Sequence, residues 1–147
     1  LQVLWQCGRF YYDDVEQKVK ASGKHNIRVI PFISRMDLAY EAADVVVSRA
    51  GALSIAELCL VGKPAILVPS PNVAEDHQTH NAEALVEKKA ALMVSDSEAP
   101  RKLVDLMISL MENDQLREEL STNISQLGLP DAAQRIAAEV LKILEEK

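Results

Sequence analysis

The chain has 147 residues, of which 48% are hydrophobic and 26% are charged, so its length and composition are those of one globular domain with a core of its own. The formal net charge of −6 argues against nucleic acid as a partner, because phosphates attract basic surfaces. No apolar run approaches the roughly 18 residues of a membrane-spanning helix, and the first residues lack the pattern of a secretory signal peptide.

Strand-like and helix-like segments alternate over the first two thirds of the chain. In order, the patterns predict a strand at 1–7, a helix at 11–22, a strand at 27–31, a helix at 36–43, a strand at 44–47, a helix at 53–61, a strand at 65–68, a helix at 78–89, a strand at 92–94 and then helices alone at 99–112, 114–125 and 131–146. This order predicts right-handed βαβ units, and therefore an α/β fold with a Rossmann-like parallel sheet and flanking helices over residues 1–147. The run Val45–Val47 is apolar without alternation, as expected for a strand covered on both faces.

The most informative stretch is 48–57, Ser-Arg-Ala-Gly-Ala-Leu-Ser-Ile-Ala-Glu, which joins a predicted strand to a predicted helix. Ligands of such sheets bind beyond the carboxyl ends of the strands, and the first N–H groups of a helix attract anions. Gly51 lets a ligand approach the backbone closely. Glu57 lies about a turn and a half into the helix, where its carboxylate can bind a sugar diol. The stretch predicts a nucleotide or nucleotide-sugar site, although Ser54 as a local cap and Glu57 as a complement to the helix dipole would also account for it.

A second segment, 69–82, is rich in hydrogen-bonding groups. Gln78 can donate and accept, as can a neutral His77, which suits sugar hydroxyls. Asn81 is expected instead to tie down the loop backbone. The alternative is an exposed, capped helix start. His77 and His80 share a helix face, but no third well-spaced ligand accompanies them, so no metal is predicted.

A third segment, 31–36, ends a strand and begins a helix. A planar base can lie against Phe32, Ile33 or Met36 while backbone N–H and C=O groups read its edge. Ordinary core packing is the alternative for these three side chains, and composition alone favours it.

Other chemistry has little support. The chain has neither a Gly-x-Ser-x-Gly elbow nor a Walker phosphate loop. Cys59 falls inside an apolar helix and is not expected to be a nucleophile. Cys7 and Cys59 form no pattern, so both are expected to be small, buried, hydrophobic residues in a reduced cytosolic compartment.

Taken together, these segments resemble the nucleotide-sugar glycosyltransferases of the GT-B fold, which are built from two facing Rossmann-like halves. The likeness is strongest to the members that add N-acetylglucosamine to the lipid-linked muramyl-pentapeptide precursor of peptidoglycan. It covers nearly the whole chain, as an ordered set that comprises Phe32-Ile33-x-x-Met36, 43–54 with Glu57, 62–65, Pro69, His77-Gln78, Asn81-Ala82 and 129–133.

The resemblance implies a role for each candidate residue. Ile33 would read uracil through its backbone, with Phe32 and Met36 beside the base. Ala52, Leu53 and Ser54 would offer N–H and hydroxyl groups to the diphosphate, and Glu57 would accept hydrogen bonds from the ribose hydroxyls. The donor-binding stretch as a whole comprises Gly51, Ala52, Leu53, Ser54, Ile55, Ala56 and Glu57. Gln78, with His77, would contact the N-acetylglucosamine. Many relatives have Gln where this chain has His77, and Ser where it has Ala50.

The resemblance also implies what lies elsewhere. The chain corresponds to a C-terminal, donor-binding half truncated at its N-terminal side, without its first strand, expected near the middle of the sheet, and without a Gly-rich phosphate loop. The catalytic base, the contacts with the lipid-linked acceptor and a peripheral contact with the cytoplasmic face of the bacterial inner membrane would belong to the upstream half. No catalytic residue and no cofactor is therefore expected in this chain, and the 147 residues alone are expected to be inactive.

Three alternatives remain open on the residues alone. The first is a UDP-sugar glycosyltransferase with another acceptor, and the second is a UDP-sugar epimerase. The third is a non-enzymatic nucleotide-binding or assembly module. The last helix has an apolar stripe of Ile136, Val140, Ile143 and Leu144, which would pack either on its own domain or toward the other half.

Overall fold

The computed structural model describes residues 1–72 and 76–145. Its elements, in chain order, are β1 Val3–Gln6, α1 Tyr12–Ala21, β2 Ile27–Ile30, α2 Met36–Ala42, β3 Val46–Ser48, α3 Ala52–Val61, β4 Ala65–Leu67, α4 His77–Glu87, β5 Leu92–Met93, α5 Ala99–Met111, α6 Asp114–Ser125 and α7 Ala132–Glu145. All twelve predicted elements are present with their predicted type. Glu146, to which the prediction extended the last helix, lies outside the described residues.

The strands pair in parallel, which confirms the α/β class, but they form two sheets. β1 pairs with β2, and β4 lies between β3 and β5. Among the described strands, none pairs with the second edge of β1 or with the second edge of β3. The parallel pairing and the order of elements are as predicted. Because the prediction also expects a further strand near the middle of the sheet, it does not require these five strands to pair with one another without interruption.

The first compact unit is Leu1–Ala42, and it contains β1, α1, β2 and α2. β1 and β2 are in register from Val3 opposite Ile27 to Gln6 opposite Ile30, so their carboxyl ends lie side by side. Every residue of this unit is described, and Val29 alone among them is buried. A two-stranded sheet with one helix on it cannot cover both faces of its strands.

The second compact unit is Ala43–Lys147, and its core surrounds β4. Ala65, Ile66 and Leu67 are fully buried because β4 has a strand on each side. One buried cluster joins β4 to two helices. It contains Ile66 of β4, Val68 and Val94 just beyond β4 and β5, Leu110 of α5 and Leu120 of α6. α3 and α4 pack on each other, as do α5 and α6. Because α3 follows β3 and α4 follows β4, and these two strands are parallel, both helices begin at the carboxyl ends of the strands.

The expectation that Val45–Val47 is covered on both faces is wrong in part. Val45 and Val46 are half-buried, but Val47 remains 38% exposed. β3 is an edge strand of the described sheet, so fewer neighbours cover it than cover the central β4. The fully buried strand that lacks alternation is β4 instead.

Sequence signals set several helix ends. Gly62 ends α3 in the left-handed conformation at φ 64°, as glycine does at many helix C-termini. Asn113 caps α6, since its side-chain oxygen accepts a hydrogen bond from the Leu116 N–H at 3.0 Å. Asp114 is the first helical residue of α6.

The last helix, α7, leaves its apolar stripe uncovered. Ile136, Val140, Ile143 and Leu144 are each more than half exposed. The described part of the second unit therefore does not bury this stripe, which argues against the alternative that it packs on its own domain. In the described residues, no helix combines the length and the apolar character needed to cross a membrane.

Candidate functional site

The turn between β3 and α3, residues 48–54, is called the anion turn below. Gly51 is the N-cap of α3, with an extended backbone at φ −67° and ψ 147° and no side-chain cap bond. The first helical hydrogen bond runs from the Ile55 N–H to the Gly51 carbonyl at 2.9 Å. The N–H groups of Ala52, Leu53 and Ser54 precede that bond, so they have no acceptor within the helix.

The residues that carry these N–H groups lie at or near the surface. Ala52 is exposed and the Leu53 side chain is 83% exposed, while Ser54 is half-buried. Among the described residues, the nearest atom to a Cβ at Gly51 would be the Ser54 hydroxyl oxygen, at 3.8 Å, so that part of the structure leaves space on the Gly51 side of the turn. The helix dipole adds positive potential at the same place, and the arrangement suits an anionic group.

The rest of the predicted donor-binding stretch continues along α3. Glu57 is exposed and lies three residues after Ser54, on the same face of the helix. Ile55 is half-buried, whereas Ala56 is exposed. The structure thus places a carboxylate one turn beyond the open N–H groups, as the sequence predicts.

α4 holds the anion turn through two side chains. The Gln78 carboxamide oxygen accepts hydrogen bonds from the Ala50 N–H at 3.2 Å and from the Ser70 N–H at 2.9 Å. The Asn81 Nδ2 group donates to the Ala50 carbonyl at 3.1 Å, so Asn81 bonds the backbone of the anion turn, whereas the sequence predicted a bond to the backbone of its own loop. His77, the first residue of α4, is exposed.

Arg49 is a residue of this region that the sequence reasoning missed. Its Nη1 atom donates to the carbonyls of Val68 at 3.2 Å and Pro69 at 3.3 Å, and it forms an ion pair with Asp96. One guanidinium therefore joins the chain beyond β3 to the chain beyond β4 and β5. The available signal was an arginine directly after β3 and an aspartate three residues after the end of β5, a later parallel strand.

The residues predicted to contact a base lie in the first unit. Phe32 is 65% exposed, while Ile33 and Met36 are half-buried. The Ile33 N–H donates to the Gln6 Oε1 atom at 2.7 Å, so the end of β1 holds the turn that follows β2. Gln6 was also missed, although the parallel register of the two strands brings it to this position.

Metal binding and cysteine chemistry find no support in the described residues. No group of three or more His, Cys, Asp or Glu there is arranged to hold a metal ion. His80 instead lies 3.6 Å from the Glu83 carboxylate. Burial raises the pKa of the Cys59 thiol, although Lys88 opposes this effect, so Cys59 is not an activated nucleophile. Cys59 is buried as expected, whereas Cys7 is only half-buried.

An α/β domain with an open helix N-terminus at its strand ends is typical of nucleotide-binding domains. The family model described as the glycosyltransferase family 28 C-terminal domain matches residues 1–136. The chain therefore belongs to this glycosyltransferase family.

Curated relatives extend this result. The chain is 53% identical over 146 residues to a Bacteroides thetaiotaomicron protein, with 99% of this chain and 39% of the relative covered. It is 54% identical over 144 residues to a Cytophaga hutchinsonii protein, with 98% and 38% covered. Both are named UDP-N-acetylglucosamine--N-acetylmuramyl-(pentapeptide) pyrophosphoryl-undecaprenol N-acetylglucosamine transferase.

A solved structure agrees with these relatives. The crystal structure of Acinetobacter baumannii MurG superimposes with a TM-score of 0.84 at 33% identity, covering 97% of this chain and 41% of that one. The chain thus spans about two fifths of the length of the relatives it matches.

Proposed function

We propose that this chain is the donor-binding half of an enzyme that transfers N-acetylglucosamine from UDP-N-acetylglucosamine to the lipid-linked muramyl-pentapeptide of peptidoglycan synthesis. The observation that carries the proposal is the open start of α3, with Glu57 one turn further, in a chain about half identical to transferases of that name. An enzyme of this kind serves cell-wall growth, and through it cell shape and division.

The proposed contacts with the diphosphate and ribose come from α3. Gly51, Ala52, Leu53 and Ser54 present the N–H groups and the hydroxyl for the diphosphate, at the start of the helix that continues through Ile55 and Ala56. Glu57 accepts hydrogen bonds from the ribose hydroxyls. Fixed N–H donors at this point stabilise the charge that develops on the departing diphosphate without a metal ion.

The proposed contacts with the base and the sugar come from two other segments. Ile33 reads uracil through its backbone, with Phe32 and Met36 beside the ring. Binding of the base at the Ile33 N–H requires Gln6 to release that group, since its side-chain oxygen occupies it now. Gln78 and His77 contact the N-acetylglucosamine.

The remaining parts of the reaction are proposed to lie upstream of Leu1. An acceptor hydroxyl attacks the anomeric carbon with inversion, and the catalytic base, the acceptor contacts and the peripheral contact with the cytoplasmic face of the inner membrane belong to that half. A further strand and a Gly-rich loop complete the donor domain. The unpaired edges of β1 and β3 among the described strands support the further strand, and the uncovered stripe of α7 supports contact with the upstream half.

The test uses the full-length protein that contains this chain, with UDP binding measured by calorimetry. Replacing Glu57 with alanine removes charge-assisted hydrogen bonds to the ribose, so the Kd of UDP should rise about 10- to 100-fold. Glu118→Ala removes another exposed helical glutamate and should leave the Kd unchanged. The Kd of 2′-deoxy-UDP should respond less to Glu57→Ala, because part of the interaction is already missing from that ligand.

Two results would overturn the proposal. If the wild-type protein does not bind UDP, or if Glu57→Ala binds it with unchanged affinity, the donor assignment is wrong. Turnover of UDP-N-acetylglucosamine without any acceptor would indicate an epimerase, and transfer to a different acceptor only would leave the donor site but replace the substrate. The 147-residue chain by itself should not transfer sugar.

A further inference from the structure

The residue directly before the helix cap of the anion turn is held from both sides by α4. Ala50 is fully buried. Its N–H donates to Gln78 and its carbonyl accepts from Asn81, and these two side chains are three residues apart on one face of α4. Both backbone hydrogen-bonding groups of one buried residue are therefore fixed by side chains of a single helix.

The orientation of the Gln78 carboxamide follows from its partners. Ala50 and Ser70 both offer N–H donors, so the atom that faces them must be the oxygen. A carbonyl oxygen has two acceptor positions, and these two bonds fill both. Toward a ligand, Gln78 then has only the donors of its Nε2 group.

Arg49 holds the same stretch of backbone next to this point. Its guanidinium donates hydrogen bonds to the carbonyls of Val68 and Pro69, the two residues that precede Ser70. Two side chains thereby link the backbone at residues 49–50 to the segment 68–70. Arg49 bonds two carbonyls of that segment, and Gln78 bonds the N–H groups of Ala50 and Ser70. Rotation of the Ala50 peptides, which would re-aim the first N–H groups of α3, would break several of these bonds together.

We propose that Gln78 and Asn81 are positioning residues that fix Ala50 and thereby aim the N–H groups of Ala52, Leu53 and Ser54 at the donor diphosphate. The inference rests on the proposed function for its ligand. Donors that are fixed before the ligand arrives need no ordering when it binds, and this preorganisation increases affinity. The effect should fall on the diphosphate and spare the nucleoside.

The first experiment compares UDP with uridine on the full-length protein. Asn81→Leu leaves the Ala50 carbonyl without its donor, so the Kd of UDP should rise about tenfold while that of uridine changes less than about twofold. His80→Ala, on the exposed side of the same helix, is the matched control and should change neither value. Equal losses for UDP and uridine, or no loss for either, would overturn the inference.

The second experiment uses pH to restore the missing donor. In Asn81→Asp, the ionised carboxyl cannot donate to the Ala50 carbonyl, whereas the protonated carboxyl can. The ratio of its Kd for UDP to the wild-type Kd should therefore fall as the pH is lowered through the pKa of the new carboxyl. A ratio independent of pH would contradict the proposal, and this variant decides the question if Asn81→Leu does not fold.

The third experiment needs no ligand, so its outcome is independent of the proposed function. Gln78→Met removes the acceptor, and hydrogen exchange at the Ala50 and Ser70 amides should become at least about fivefold faster. Gln78→Glu keeps an acceptor oxygen and should restore the protection. Unchanged exchange in Gln78→Met would overturn the positioning role, whereas failure of the wild type to bind UDP would overturn only the proposed function.

Discussion

The two compact units hold the backbone of their candidate ligand-binding turns in different ways. In Ala43–Lys147, the N–H and carbonyl of the buried Ala50 are bonded by two side chains of a neighbouring helix. In Leu1–Ala42, the Ile33 N–H is bonded by one exposed side chain, Gln6. Ala50 of the anion turn is thus fixed inside a packed core, whereas the turn that follows β2 depends on a contact that water can reach.

The same difference appears in the cores of the two units. Val29 is the single buried residue of 1–42, where Leu4 and Trp5 on β1 are 49% and 45% exposed. β4 of the second unit is buried throughout. Burial of apolar surface is the main source of stability, so most of the folding free energy of the described residues should come from the second unit.

The largest effect that tests this comparison is expected at Ile66. Ile66→Ala empties space around a fully buried side chain and should lower the free energy of unfolding of the 147-residue chain by about 2–5 kcal/mol. Leu4→Ala is the counterpart in the first unit, and it should cost less than about 1 kcal/mol because half of that side chain is already in water. Denaturant unfolding measures both.

Similar losses of stability at the two positions would contradict this difference between the two units. A large loss at Leu4 would mean that the first unit contributes a core of its own. The corresponding measurement in the full-length protein sharpens the point, because cover supplied from upstream should increase the cost of Leu4→Ala and leave that of Ile66→Ala unchanged.

A smaller loss of stability is expected when alanine replaces Gly128 of the second unit. Gly51→Ala in the same unit is the comparison, because it should affect binding and not stability. A Cβ at Gly128 would lie 2.9 Å from the Cys59 carbonyl oxygen, a backbone atom that cannot move aside. Gly128→Ala should therefore destabilise the chain by about 1–3 kcal/mol. Gly51→Ala meets nothing closer than the Ser54 hydroxyl at 3.8 Å, so its stability should remain near that of the wild type.

The affinity for UDP should respond to these two substitutions in the opposite way, with the larger loss at Gly51. A methyl group on Gly51 stands where a phosphate would approach the backbone, so Gly51→Ala in the full-length protein should weaken UDP binding. Gly128→Ala should leave the affinity of the folded fraction unchanged. A Gly51→Ala variant with normal UDP affinity would show that the diphosphate does not approach the turn at that residue.

Much of the fold could be predicted from the sequence because its signals are local. Alternating patterns gave every element with its type, and Gly62 gave the end of α3, since helix ends depend on nearby residues. Strand pairing depends on residues far apart in sequence. The local pattern therefore does not show which strands lie beside β1 and β3. For the same reason Val47 was expected to be more buried than it is.

The candidate site could be predicted where its chemistry lies in one segment. The anion turn and Glu57 are contiguous, so their relation follows from helix geometry. Arg49 reaches partners 19, 20 and 47 residues away, and Gln6 reaches one 27 residues away. Such side-chain contacts depend on the tertiary fold, so neither the periodicity nor the spacing of the sequence predicts them.

The smallest expected effect concerns Gln6, and it sharpens the contrast with Ala50. Gln6→Ala removes the acceptor of the Ile33 N–H, so hydrogen exchange at that amide should become faster. The free energy of unfolding should fall by about 0.5 kcal/mol, the low end of the range for a hydrogen bond, because this one is exposed. Gln6→Glu keeps an acceptor oxygen and should preserve the protection. Amide exchange followed by NMR measures both variants. If Gln6→Ala leaves the Ile33 amide as protected as before, then packing rather than this one side chain holds the turn. The two units would then fix the backbone of their candidate ligand-binding turns in more similar ways than the structure indicates.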